Sequence, residues 1–418
     1  MRDKQTLVVI GGGAAGFFCA VNAARMQPSL QVILLEKSNK LLSKVKVSGG
    51  GRCNVTHACF DIAAMSRHYP RGTHFVKKAF HHFFTTDTIQ WFEERGVRLK
   101  TEKDGRMFPV TDSSQTIIDC LLREAAKYQV SITLNREVTG IQEQEGRWLI
   151  QCRGEASLVA DFICVATGGY PKSVMFEWLR ATGHAVENPV PSLFTFNLPE
   201  GQSGKTGHAI TALMGVSVEK VHLKIAGTKL EQEGPLLITH WGISGPAVLK
   251  LSAWAARELS EKQYHFNILI SWLPDFNEQQ LRDLFQQNRL THASQKVVAR
   301  NQVGLPARLW ELLALQSGIT PDMRWAALPA VVQNRFIRHL LYYECLVKGK
   351  TTFKDEFVTA GGIRLSDVEV NSMMSKKARG LFFAGEVLDV DGVTGGFNFQ
   401  HAWTSGWIAA KGIAELAD

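Results

Sequence analysis

A short apolar run, Thr6 to Ile10, stops at Gly11-Gly12-Gly13-Ala14-Ala15-Gly16, and an alanine-rich stretch from Ala14 to Met26 follows. No other feature of the chain limits its possible folds as much. Strand, glycine turn, helix and a second apolar run, Gln31 to Leu35, make a βαβ unit, which needs about 30 residues. Each glycine has its own reason to be there. Gly11 permits the tight turn, Gly13 lets the backbone approach a pyrophosphate, and Gly16 lets helix and strand pack closely. Ala14 and Ala15 open the helix, whose free amides and positive dipole end face the anion. Glu36 lies twenty residues beyond Gly16. An acid there accepts hydrogen bonds from ribose hydroxyls and repels a 2′-phosphate. Lys37, next to it, joins the expected nucleotide-binding set.

The far end of the sequence decides which dinucleotide. Gly380-Leu-Phe-Phe-Ala-Gly-Glu386 reads as a strand ending in Gly385 and an acid, Glu386. In FAD enzymes such an element sets a carboxylate on the ribityl chain. Gly395-Gly396-Phe397-Asn398 then opens the last helix, whose first amides can stabilise negative charge on a reduced flavin. Ala166-Thr167-Gly168-Gly169, after a strand ending at Val165, is a third glycine turn. A plain NAD enzyme needs neither of the first two. In this order they point to FAD, bound without a covalent link. Val138, at the start of a short strand, and Gly51, Arg52 and Cys53 complete the expected cofactor-binding set. No second Gly-x-Gly-x-x-Gly has strand and helix around it, so NAD(P)H is expected, if used, only as a transient reductant.

With 418 residues, 45% of them hydrophobic, the chain can bury more than one core, and two or three structural units are expected. No stretch reaches the ~18 apolar residues of a membrane helix. The first residues do not read as a signal peptide, which places the protein in the cytoplasm. Seven scattered cysteines include no Cys-x-x-Cys pair, so no metal site is expected. Net charge is +8 and unevenly spread. Between His57 and His82, Arg67, Arg71, Lys77 and Lys78 stand with five histidines against Asp61 alone. From Arg289 to Lys350 nine Lys or Arg face three acids. Such surface attracts polyanions, so structured RNA is a candidate partner beside a small-molecule substrate, and a membrane is not.

Helices are expected over His74 to Arg95 and from Ser114 to Tyr128, the latter capped by Ser113 or Asp112. Short strands follow near Ile132, Val138, Trp148 and Phe162. Pro189 and Pro191 mark a boundary. Val216 to Lys229 and Tyr264 to Trp272 alternate like strands of a barrel. Glu278 to Tyr343 reads as helical, broken at Pro306, Pro321 and Pro329. Glycine-rich β-type sequence returns at Val358, and Phe397 to Leu416 is the last helix. The division expected is 1–188 for the first segment of the nucleotide-binding domain, 189–275 for a barrel-like insert, 276–345 for a helical insert, and 346–418 for a return to the barrel edge and the second segment of the nucleotide-binding domain.

Four blocks resemble a known family, the YhiN-like, BaiN-like or aminoacetone-oxidase-like bacterial flavoproteins. They are Ser48-Gly-Gly-Gly-Arg-Cys-Asn54, Thr239-His-Trp-Gly-Ile-Ser-Gly-Pro246, Val358-Thr-Ala-Gly-Gly362, and Gly385-Glu-Val-Leu-Asp389 followed by Gly395-Gly-Phe-Asn398. The resemblance covers nearly the whole chain. It implies an α/β fold: a Rossmann-like FAD-binding domain, related to glutathione reductase and fumarate reductase, interrupted by an insert with a β-barrel-like part and a helical part. Relatives are linked to reduction of carbon–carbon double bonds, in steroid enones and in a ribosomal RNA uridine, and to amine oxidation. This sequence departs from the pattern at Leu42-Ser43-Lys44-Val45-Lys46 and in a short loop, Tyr170 to Val174. For proton delivery His240 and Cys53 are candidates. Arg52 is a candidate for holding a phosphate or a substrate oxyanion, against the alternative of a structural ion pair. Three functions stay open: a reductase of an activated C=C bond, a flavin oxidase or reductase of a small amine or enone, and a non-catalytic flavin- and RNA-binding assembly factor.

Overall fold

The computed structural model describes residues 4–199, 209–352 and 358–417. They form two compact units, one built from Met1–Ser192 and Phe353–Asp418, the other from Leu193–Thr352.

The first unit is organised by five parallel strands. β1 (Thr6–Ile10) is central, and helix α1 (Ala14–Met26) leads from it to β2 (Gln31–Leu35). The sheet order is Leu381–Phe383, Phe162–Val165, β1, β2, Ser131–Thr133. β1 is buried along its whole length, which suits a strand covered on both faces. In register, Ile10 stands between Val165 and Leu35. The strand ends are therefore level, and Gly11, Glu36 and Ala166, each following one of them, emerge at one edge of the sheet. Strand order reverses there, and open α/β sheets bind ligands in that crevice. The closing helix, Phe397–Ala417, packs on α1, with Gly406 so close that a Cβ would fall 2.7 Å from the Ala15 carbonyl. An antiparallel meander, Val138–Gln144, Arg147–Cys152 and Glu155–Ala160, connects the third and fourth of these strands in sequence.

The expected helix over His74 to Arg95 is two helices, Thr73–Ala79 and Thr85–Glu93. The Asp87 carboxylate accepts a hydrogen bond from the Phe84 amide at 2.7 Å and so starts a new helix where the apolar spacing alone reads on. Ser113 caps the helix Ser114–Lys127, its Oγ accepting from Gln115 N at 3.3 Å. The first segment of this unit runs to Ser192, because Val186–Ser192 pairs antiparallel with Val358–Ile363.

The second unit holds a seven-stranded antiparallel sheet in the order Tyr343–Lys348, His265–Ser271, Ser217–Ile225, Glu231–Ile238, Gly242–Ser244, Thr195–Asn197, Lys350–Thr351. Its two outermost strands are consecutive in the chain, with Gly349 alone between them, so the sheet closes on itself as a barrel. Residues 346–352 thereby belong to this unit. Helices Glu278–Thr291, Ala307–Gln316 and Ala330–Leu341 lie between His265–Ser271 and Tyr343–Lys348 in the chain, the last two starting after Pro306 and Pro329. Barrel residues such as Val221 and Ile268 share one apolar cluster with Trp310, Trp325 and Phe336 of the helical part.

Candidate functional site

At the level strand ends of the first unit lies a cleft of about 310 Å³ lined by Gly11, Glu36, Lys37, Val138, Thr167 and Tyr170, among others. Five of these six are residues that the sequence assigns to the nucleotide. The Glu36 carboxylate accepts from Gly12 N at 2.9 Å, and from Ser38 N and Oγ at 2.9 and 2.8 Å. A carboxylate has about four acceptor positions, so capacity remains for a hydroxyl. Lys37 extends over the Tyr170 ring, 6.0 Å from its centroid.

The glycines divide into two kinds. A Cβ on Gly11 would fall 2.4 Å from the Ala166 carbonyl oxygen, and one on Gly16 only 1.9 Å from the Gly11 oxygen. These are required by the fold. A Cβ on Gly13, Gly51 or Gly168 would meet nothing within 4 Å. There the backbone lies bare, as a cofactor lying along it requires.

The second half of the site joins distant segments. Glu386 follows the strand Leu381–Phe383; its carboxylate receives Lys44 Nζ at 2.6 Å and Thr359 N at 2.8 Å. The Gly385 amide donates to Ser405 Oγ of the closing helix at 2.8 Å. Among the described residues, Thr359 Oγ1 is buried without a hydrogen-bond partner. A Cβ on Gly169 would fall 2.4 Å from that oxygen and 2.7 Å from Glu386 Oε1, so the three meet at one point. Gly396, at φ +95°, would press a Cβ to 2.5 Å from the Thr56 carbonyl, which packs the start of the closing helix against the Ser48–Asn54 loop. Trp403 Nε1 reinforces this by donating to Val55 O at 2.9 Å. The side chain of Asn398 closes a ring on Gly392, accepting from its amide and donating to its carbonyl, each at 2.8 Å. Asn398 therefore shapes the entry to the helix. The first amides of that helix have no intrahelical acceptor.

Cys53 is fully buried at φ +61°, and burial pushes its thiol up to about 12. Arg52 donates to Glu102 at 2.6 Å and lies over the Phe108 ring, 4.0 Å from its centroid. The ion-pair alternative describes its position, and donors remain on its guanidinium. His240 belongs to the second unit. It stands exposed on the turn between Glu231–Ile238 and Gly242–Ser244, its ring edge-on to Trp241 with centroids 4.1 Å apart. The remaining sequence-derived site residues, Ala14, Ala15, Ala166 and Phe397 included, lie together in the first unit.

Sequence reasoning missed several neighbours. His57 and His68 stack on Phe397 at centroid distances of 4.7 and 4.4 Å, and Tyr69 Oη donates to the Phe397 carbonyl at 2.6 Å. The histidine-rich composition of 57–82 was the available signal, read there only as charge. Asp391, completely buried, is held by Arg71 Nε at 2.5 Å and Ser192 Oγ at 2.7 Å. Burial raises its pKa against the pull of Arg71 and Ser192. Arg71 is thus removed from the basic surface to which its charge assigned it. Among the described residues no group of three or more His, Cys, Asp or Glu could hold a metal, and no helix is long and apolar enough to cross a membrane.

The residues present fit FAD: bare backbone at Gly13 and Gly168, an acid with spare lone pairs at Glu36, and an orphaned hydroxyl at Thr359 beside Glu386. Residues 5–412 match the family model described as HI0933-like protein Rossmann domain. A ribosomal RNA dihydrouridine synthase of Escherichia coli K12 is 31% identical over 98% of this chain and 98% of its own. A 3-dehydro-bile acid delta(4,6)-reductase of Clostridium scindens is 27% identical over 97% of this chain and 98% of its own. Among solved structures, the 3-ketosteroid-delta4-(5alpha)-dehydrogenase of Rhodococcus jostii RHA1 aligns with a TM-score of 0.50 at 13% identity, covering 97% of this chain and 96% of that one, a likeness of fold. With strand-end cleft, bare glycine backbone and full-length match in agreement, the chain belongs to the HI0933-like family and is an FAD-dependent oxidoreductase.

Proposed function

We propose that this enzyme reduces the C5=C6 bond of a uridine in ribosomal RNA, with a nicotinamide nucleotide as transient electron donor. The observation that carries the reading is the similarity, along the whole chain, to a ribosomal RNA dihydrouridine synthase. The bile-acid reductase points to the same chemistry. In both substrates the double bond is conjugated to a carbonyl. Reduction adds hydride to the carbon remote from the carbonyl and a proton to the carbon beside it. When bound, FAD supplies the hydride and recovers two electrons from the donor.

The chain's own residues do the rest. Glu36 and the bare backbone at Gly13 would hold the adenosine and pyrophosphate half, and Glu386 with Thr359 would hold the ribityl chain. The amides of Phe397 and Asn398 offer positive potential at the reacting end. Cys53, with its proton bound up to about pH 12, is a weak donor. Imidazole is the side chain most often used for proton transfer, which favours His240 over the buried thiol as the group that delivers the proton. Arg52 holds the glycine loop through Glu102.

The test is an anaerobic single turnover. Protein is reduced with NADH or NADPH and mixed with ribosomal RNA from a strain lacking the gene; mass spectrometry should find new dihydrouridine. If RNA is unchanged while a conjugated steroid enone reoxidises the protein, the small-molecule reading suggested by the bile-acid reductase replaces this one.

A further inference from the structure

One surface beside the flavin site is basic and uncovered, and it deepens the RNA reading, on which it rests. Residues 62–86 contain no Asp or Glu. The inner side of this segment builds the surroundings of the closing helix. Tyr69 bonds Phe397, the His68 carbonyl accepts from Val393 N at 2.9 Å, and Arg71 holds Asp391. Gly72 packs so tightly that a Cβ would fall 2.6 Å from Val390 Cγ2. The helix Thr73–Ala79 buries Phe75, Val76 and Ala79.

The outer side is the reverse. His74, Lys77, Lys78 and His81 are all exposed. The spacing of His74, Lys77 and Lys78 puts them on one helical face, and His81 stands in the turn that follows the helix. Arg67 is exposed beside them. None of Arg67, Lys77 and Lys78 has an ion-pair partner among the described residues. Several cations elsewhere are ion-paired: Lys44 with Glu386, Lys220 with Asp275, and Lys296 with Asp322. A run of unpaired cations with no acid among them repels itself, and a polyanion relieves that repulsion by displacing counterions. Phosphate contacts fix register without reading sequence.

We infer that the face formed by Arg67, His74, Lys77, Lys78 and His81 docks the phosphate backbone of the RNA substrate. The segment that grips the strand outside is the one that frames Phe397 inside. A nucleotide held there is delivered to the flavin by the same element.

The test compares full-length FAD-loaded wild type with the triple variant Arg67→Gln, Lys77→Gln, Lys78→Gln, using total ribosomal RNA from a strain lacking the gene. Each lost phosphate contact should lower the salt slope of binding by about 0.7 to 0.9, so the slope should flatten by about 2. KM for RNA should rise about tenfold or more at moderate salt, with kcat at saturating RNA within about twofold. Flavin content, reduction by the nicotinamide and reoxidation by dioxygen serve as controls and should be unchanged. A variant that keeps the wild-type slope and KM overturns the inference, most clearly if Arg324→Gln, Arg335→Gln, Arg338→Gln loses them instead. If wild type passes the flavin controls yet neither binds the RNA nor forms dihydrouridine, the functional reading itself falls, and the docking surface with it.

Discussion

His401 sits on the closing helix with Nε2 3.3 Å from the Gly385 carbonyl, and among the described residues its buried Nδ1 has no partner. Burial drops its pKa to about 4. The unfolded imidazole titrates at about 6.5, so above that pH neither state is protonated and the group costs nothing. As pH falls from about 6.5 toward 4 only the unfolded chain gains the proton, and about 3 kcal/mol of stability is lost. His401→Gln should remove this dependence, as denaturant unfolding at several pH values would reveal; an unchanged pH profile would contradict the burial argument. For proton delivery the contrast between Cys53 and His240 is equally sharp. His240→Gln should lower kcat for RNA reduction by about a hundredfold, with KM little changed. Cys53→Ala should lose stability by cavity formation while retaining most of kcat. The opposite ranking in steady-state kinetics would make the buried thiol the donor. Both residues were visible in the sequence. Their ranking was not, because exposure and burial of single side chains are set by segments far away in the chain.

At the scale of elements, the glycine turn after β1 allows a test that separates fold from cofactor. Gly13→Ala adds a methyl into open space at a backbone angle any residue accepts. The apo protein should unfold at the wild-type temperature and yet retain little FAD, measured by flavin fluorescence after desalting. Gly16→Ala places its methyl 1.9 Å from the Gly11 oxygen and should cost folding itself. This motif was legible because strand, turn and helix are local and the glycines announce φ and contact demands directly. The break at Phe80–Phe84 was not, since the apolar spacing runs through it and only the Asp87 cap reveals the restart. The ring of Arg71, Asp391 and Ser192 was illegible for another reason: its members lie 121 and 199 residues from Ser192. Arg71→Met leaves a buried carboxylate unpaired and should cost about 3–5 kcal/mol in equilibrium unfolding. Adding Asp391→Leu should restore most of that loss. If the single and double variants are equally unstable, the ion pair is not what holds the loop ahead of the closing helix.

Across the whole molecule, the sequence announced a nucleotide unit interrupted and resumed, because its signature blocks lie near both ends. A barrel-like insert was legible from its alternating strands, but which strands pair to close it was not. That closure depends on the pairing of Thr195–Asn197 with Lys350–Thr351, and no local pattern encodes a pairing so remote. The same holds for the site, where Ser48–Asn54, Thr359, Glu386 and Gly396 converge only after folding. The account rests on a flavin held at that convergence and spent on uridine. The most direct measurement is an anaerobic stopped-flow titration of the reduced, FAD-loaded enzyme with ribosomal RNA from a strain lacking the gene, following the flavin absorbance and counting dihydrouridine. The account predicts that oxidised flavin returns with one dihydrouridine formed per flavin. A protein that takes up no FAD when folded, or whose flavin stays reduced with RNA and leaves its uridines intact, would contradict it.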